Sequence, residues 1–148
     1  PASFAPTTRT EAPSATREAQ ILRLLLDLRD QRGLSIIMIT HDLGVVAQTC
    51  DSIAVMYAGR LCEHGNKHEV LAHPRHPYTA GLIDCHPATS HGHALLKTIA
   101  GQPPLLDALP HGCRFNPRCP SVTDVCRSTA PDITALGPGG LVRCHHHE

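Results

Sequence analysis

From Thr16 onward, apolar residues recur at helical spacing: Ala19, Leu22, Leu25 and Leu26, with Ile21, Leu28 and Arg29 among them, followed by Gly33 as a stop signal. This pattern predicts a helix from about Thr16 to Gln31. Ser35-Ile36-Ile37-Met38-Ile39-Thr40 is instead a short, continuous apolar run rich in β-branched residues. It reads as a strand covered on both faces in a parallel sheet, so that helix and strand together imply an α/β layer. Further along, Leu43 to Cys50 reads as a short helix and Ser52 to Tyr57 as a strand. Arg60 to Gly65 alternates as the returning partner of that strand in a hairpin around Ala58-Gly59. Lys67 to Ala72 forms a short helix stopped by Pro74, and Pro77 to Asp84 carries another helical pattern.

The pattern fails in three places, and these divide the chain. Residues 1–15 hold three prolines among Ala, Ser and Thr with no period, and are expected to be a disordered or aberrant segment. Cys85 to His93 is polar and His-rich, which puts a boundary near residues 85–95. Beyond it, prolines at 103, 104, 110, 117, 120, 131 and 138 leave too few apolar stretches for a self-sufficient core. The expected organisation is thus 1–15, 16–84 as an α/β unit, and 85–148 as a small irregular extension held by something other than burial alone.

Composition narrows the function classes. The 148 residues suit about one domain, and no run of ~18 apolar residues offers a membrane span, so the chain reads as soluble. Thirteen basic residues cancel thirteen acidic ones, and the aromatics are only Phe4, Tyr57, Tyr78 and Phe115. Neither a basic surface nor a base-stacking platform is provided, which argues against nucleic acid as a partner. The odd count of seven cysteines and the lack of a secretory signal pattern at the start favour a cytoplasmic chain with reduced thiols.

Two constellations carry candidate chemistry. The first is Thr40-His41-Asp42 at the carboxyl end of the expected strand, where open α/β sheets place ligands. The imidazole of His41 can donate a hydrogen bond to a phosphate or to attacking water there, and Asp42 can orient the ring or the next loop. The second is Cys113, Cys119, Cys126 and Cys144, spaced C-x5-C-x6-C-x17-C. Four converging thiolates bind zinc or a cuboidal iron–sulfur cluster, and either would staple a Pro-rich segment. The wide gaps differ from the paired knuckles of structural zinc, and Arg114, Arg118, Arg127 and Arg143 would offset the charge of a thiolate cluster. Plain reduced thiols or two disulfides are the alternatives. Cys50 and Cys62 read as small core residues, His76-Pro77-Tyr78 as a packing element, and His145-His146-His147 as a solvated tail.

Three segments resemble the carboxyl-terminal half of an ABC-transporter ATP-binding subunit of the oligopeptide/dipeptide importer branch. They are Ile39-Thr40-His41-Asp42-Leu43-Gly44-Val45-Val46-Ala47, Asp51 to Arg60, and Pro74-Arg75-His76-Pro77-Tyr78-Thr79. The resemblance implies a partial P-loop-type nucleotide-binding domain with a metal-stapled extension, in which His41 is the switch histidine contacting the γ-phosphate of ATP with Mg²⁺. It implies a [4Fe-4S] cluster on Cys113, Cys119, Cys126 and Cys144, with zinc as the alternative. It also implies a second ABC ATPase subunit and membrane permease subunits of a peptide importer as partners, and a cytoplasmic place against the inner membrane.

Departures accompany the match. No Gly-x-x-x-x-Gly-Lys-Ser/Thr stretch and no Leu-Ser-Gly-Gly-Gln signature occurs, and no Asp-Glu pair precedes Pro6-Thr7-Thr8. A truncated or misread gene product is the expectation, with a small metal-binding structural or regulatory module, or a non-functional fragment, as the alternative. With the phosphate cradle and the Mg²⁺-positioning carboxylates missing, the chain alone is predicted not to hydrolyse ATP. Phosphate release should stay at background and be unchanged by His41→Ala; turnover that vanishes in that variant would overturn the prediction.

Overall fold

A computed structural model describes residues 14–86 and 98–147, which fall into two compact units meeting in sequence at Ile39 and Thr40. Residues 1–13 and the His-rich stretch 87–97, where part of the expected boundary falls, lie outside the described residues.

The first unit contains α1 (Ser14–Arg32), two residues longer at its start and one at its end than the periodicity predicts. Gly33 ends it at φ +61°, and Leu34 N–H reaches back to Arg29 O at 3.0 Å, the αL closure that glycine permits without a Cβ clash. The expected strand Ser35–Thr40 does not form. Its residues pair with no strand among the described residues, and Ile37 and Ile39 are 92% and 96% exposed. An apolar β-branched run becomes a central strand only when neighbouring strands supply hydrogen bonds on both edges and cover on both faces, and no strand is assigned among the described residues of this unit.

The second unit is built on a hairpin. After α2 (Leu43–Thr49), β1 (Ser52–Tyr57) runs antiparallel to β2 (Arg60–Asn66) around Ala58-Gly59. Both turn residues have positive φ, 45° and 76°, the geometry of the tight hairpin turn that matches strand twist. Ala58 is held there by the Arg114 guanidinium, which donates to its carbonyl. Strict alternation buries Ile53, Val55 and Tyr57 on β1. On β2 a bulge leaves Cys62 without a partner opposite, since Val55 pairs with Glu63 and Met56 with Leu61. The extra residue rotates the strand so that Cys62 and Glu63, adjacent in sequence, are both buried.

The chain then forms α3 (Lys67–Ala72) and α4 (Pro77–Asp84), at the bounds the pattern predicts. A 3-10 turn (Asn116–Arg118) and α5 (Asp124–Ser128) follow, and β3 (Thr134–Ala135) and β4 (Leu141–Val142) complete a sheet of order β1-β2-β4-β3. Every pairing in it is antiparallel, as a hairpin of Ser52–Tyr57 with Arg60–Gly65 implies; the parallel arrangement is an expectation for Ser35–Thr40 alone, which is not part of this sheet. The sheet also shows what holds the Pro-rich region. Glu63 and His64 pair with Val142 and Leu141, and Arg143 N–H continues the ladder to Cys62 O at 2.8 Å. Strand pairing and burial therefore tie the extension down within one sheet shared with the hairpin.

Two apolar clusters make the core. Ile53, Val55 and Val70 gather Val46, Leu71, Tyr78 and Leu82, while Tyr57, Cys62 and Phe115 gather Tyr78, Ile99, Cys113 and Cys119. Tyr78 belongs to both, its ring 4.7 Å from that of Tyr57 and 5.3 Å from that of Phe115. Three of the chain's four aromatics thus form one contact group, with Tyr57 and Phe115 edge to face at 5.2 Å.

Glu63, 2% exposed, closes this core with its carboxylate. One oxygen accepts Arg75 N–H at 2.8 Å and the other accepts His76 N–H at 3.0 Å, so two amides ahead of α4 are satisfied by one ionised side chain. Glu63→Gln replaces one acceptor by an NH₂ group facing an N–H. The expected outcome is a loss of about 1–3 kcal/mol in unfolding free energy, read as a lower urea midpoint with unchanged slope.

Candidate functional site

His41 stands at the entry to α2, exposed to solvent. Its setting is fixed by its neighbours. Asp42 N–H donates to Thr40 Oγ1 at 3.0 Å, and Asp42 Oδ1 accepts Gly44 N–H at 2.7 Å and Val45 N–H at 3.2 Å. Asp42 is therefore the N-cap of α2, and it orients the loop rather than the imidazole. A Cβ on Gly44 would lie 3.0 Å from Asp42 Oδ1 and 3.7 Å from His86 Nε2, so the first turn after His41 is packed from two sides. What results is an imidazole on a capped helix start, open to an anion approaching from outside.

His76 is the opposite case. It is 2% exposed, caps α4 by accepting Tyr78 N–H on Nδ1 at 3.0 Å, and burial pushes its pKa from 6.5 down to about 4. Its ring lies 5.9 Å from that of Phe115. His76-Pro77-Tyr78 is thus a packing and capping element, as its residue types suggest, with Pro77 at the first helical turn.

The four cysteines of the extension are carried by different elements and are all free thiols. Cys113 N–H donates to Cys126 O at 2.8 Å, joining the loop before the 3-10 turn to the end of α5. Gly112 makes that approach possible: at φ +72° its missing Cβ would fall 2.3 Å from Cys126 O. Burial pushes the thiols of Cys113, Cys119 and Cys144 up, and repulsion from neighbouring cysteines adds to it in each. Cys62, deeper still, is pushed up to about 12, chiefly by burial, and behaves as the core residue its position implies. The four thiols are therefore within electrostatic reach of one another. Among the described residues, however, no three His, Cys, Asp or Glu side chains form a metal-ligating group.

Of the arginines expected to offset thiolate charge, Arg114, Arg118 and Arg143 make other bonds. Arg118 donates to Ala100 O, Ile99 O and Tyr57 Oη at 2.8, 2.9 and 3.2 Å, and Arg143 donates to Leu61 O and Pro131 O. They are ties between segments. The closing histidines are not a free tail either: the rings of His145, His146 and His147 bond Thr129 O, Thr123 Oγ1 and Cys144 O at 2.9, 2.8 and 2.8 Å. A polar tract beside a short helix finds its unpaired carbonyls and hydroxyl, so these rings fold back onto the extension.

Residues 62–126 match the family profile described as "Oligopeptide/dipeptide transporter, C-terminal region". Over 135 residues, 91% of this chain and 40% of the relative, the sequence is 47% identical to the oligopeptide transport ATP-binding protein OppD of Salmonella typhimurium. It is 39% identical over 137 residues to the dipeptide transport ATP-binding protein DppD of Escherichia coli, covering 93% of this chain and 42% of that one. The oligopeptide transport ATP-binding protein AppD of Bacillus subtilis is 40% identical over 139 residues, 94% of this chain and 42% of that protein. The matched profile and these relatives together make the chain similar to the C-terminal part of the oligopeptide/dipeptide ABC-transporter ATP-binding subunits. It spans about two-fifths of the length of the curated relatives it matches. No helix among the described residues is long and apolar enough to cross a membrane.

The low pKa of His76 sets a pH dependence. Unfolded, the imidazole takes a proton below 6.5; folded, it resists until about 4, so the unfolded state binds more protons in that window. Stability is full above 6.5 and is lost as pH falls towards 4, by about 3 kcal/mol at ~1.4 kcal/mol per unit. His76→Asn keeps a capping acceptor and removes the titration. Its chemical-denaturation profile should be flatter than wild type by about that amount between these pH values.

Proposed function

We propose that the chain serves within the ATP-binding subunit of a peptide ABC importer, supplying the switch histidine His41 and the C-terminal extension. The observation that carries this reading is the 47% identity over 135 residues, 91% of this chain. The geometry agrees with it, because a γ-phosphate contact requires a solvent-accessible imidazole on a stiff support, and Asp42 capping provides the support. In this role ATP with Mg²⁺ is the ligand, the remaining phosphate-binding parts come from elsewhere in the assembled transporter, and His41 donates a hydrogen bond to the terminal phosphate. A second ATPase subunit and membrane permease subunits are the partners, which places the chain at the cytoplasmic face of the membrane. The division at 16–84 and 85–148 then separates the ATPase part from the extension, the two remaining joined through β2 and β4.

The test is a chimera in which the matching region of a peptide importer's ATP-binding subunit is exchanged for this chain. ATP-driven peptide uptake should be retained, and His41→Ala in the chimera should lower it at least about tenfold at normal subunit levels. Loss of uptake in the parent chimera with the complex assembled, or indifference to His41→Ala, would overturn the reading.

A finer proposal concerns Cys113, Cys119, Cys126 and Cys144 as ligands of a [4Fe-4S] cluster, or of zinc. It is supported by the Cys113–Cys126 backbone bond, which brings two of the four cysteine-bearing segments together. It requires the thiols to close in from the positions they hold. Anaerobic purification should yield iron with acid-labile sulfide, or else stoichiometric zinc, lost in Cys119→Ser; a metal-free chain would reject it.

A further inference from the structure

Between α4 and the segments around residues 98–100 and 115–121 lies a cavity of about 780 Å³, a volume ordinary for small-molecule sites. Its wall combines apolar surface from Pro77, Ile99 and Phe115 with the charged side chains of Arg75, Asp84 and Arg118. All of it lies within the second unit.

Arg118 is the informative residue. Three of its N–H groups are held by neutral acceptors, two backbone carbonyls and the Tyr57 hydroxyl, and its guanidinium carbon lies 5.8 Å from the centre of the Tyr57 ring. Among the described residues no carboxylate pairs with it, the one ion pair being Arg29–Asp30. The guanidinium is thus fixed in place with its charge uncompensated on a cavity wall. A fixed planar cation with donors to spare is a pre-organised receptor for a carboxylate, because the entropy of holding the side chain is already spent in folding. Arg75, whose backbone is pinned by Glu63, adds a second cation, and Asp84 subtracts one charge. Two arginines on one wall favour a small anion over a neutral ligand.

We propose that this cavity binds a small molecule ending in a single carboxylate with a modest apolar body. Arg118 receives the carboxylate, Arg75 adds attraction, and Pro77, Ile99 and Phe115 cover the apolar part. His41 is not among the residues that line the cavity, and the proposal does not depend on the transport reading.

The probe is N-acetyl-trialanine, titrated into the full chain and followed by ¹H–¹⁵N NMR. Saturable shifts are expected at Gly81, Ile99 and the Arg118 side chain, with a dissociation constant of about 1 mM or tighter. The C-terminal amide of the same peptide should bind at least about tenfold more weakly. Arg75→Ala, which removes a side chain outside the Arg118 ties, should weaken binding several-fold with the spectrum of the fold retained, and Arg118→Lys should do so more strongly. Absence of saturable shifts, equal binding of acid and amide, or equal binding of inorganic phosphate would overturn the proposal.

Discussion

The second unit depends on one buried carboxylate. Glu63 lies on a strand, yet its two oxygens serve amides more than ten residues away, at the entry to α4. Those two bonds set where α4 begins, and α4 carries Tyr78, the ring shared by both apolar clusters. Burying a carboxylate costs far more than leaving it in water unless its lone pairs are used, and here donors meet both oxygens. Strand, loop and helix are therefore specified together: the strand must deliver the charge, and the loop must present its amides.

His41 and the cysteines occupy different kinds of ground on this frame. The helix start after His41 is stiffened locally, by a cap and by close packing around Gly44, while the imidazole itself faces solvent. The thiols are held by long-range ties, through strand β4, through the Cys113–Cys126 backbone bond and through arginines that bridge distant segments. Tyr78 stands between the two, packed against the cluster that also takes Val46 of α2 and against the one that also takes Cys113 and Cys119. Loss of order on one side would thus expose apolar surface on the other, which favours cooperative unfolding of the unit.

Local pattern was a good guide where local rules decide the structure. The stop at Gly33, the tight turn at Ala58-Gly59, and the bounds of α3 and α4 follow from chemistry within a few residues. The failures are non-local. Ser35–Thr40 has the composition of a central strand but joins no strand ladder among the described residues, and composition does not announce which strands lie beside it. The pairing of β2 with β4 joins residues nearly eighty apart, and two-residue strands leave no period to read. At the site, His41 and its capping aspartate were legible as a motif. Glu63 and Arg118 were not, since a lone charge in a strand or loop normally signals solvent, and only the fold supplies the acceptors and amides that bring each one in.

The bulge at Cys62 has a consequence for how the hairpin tolerates change in length. A sheet with regular alternation can lose or gain two residues and keep its faces; this one carries an odd residue whose removal would restore alternation and turn Glu63 or its neighbours to the wrong side. Insertions and deletions in β2 are thus filtered by parity as well as by size. Side chains on the open face of this strand can be exchanged without touching the core, whereas a change of one residue in its length would move Glu63 off the amides it serves.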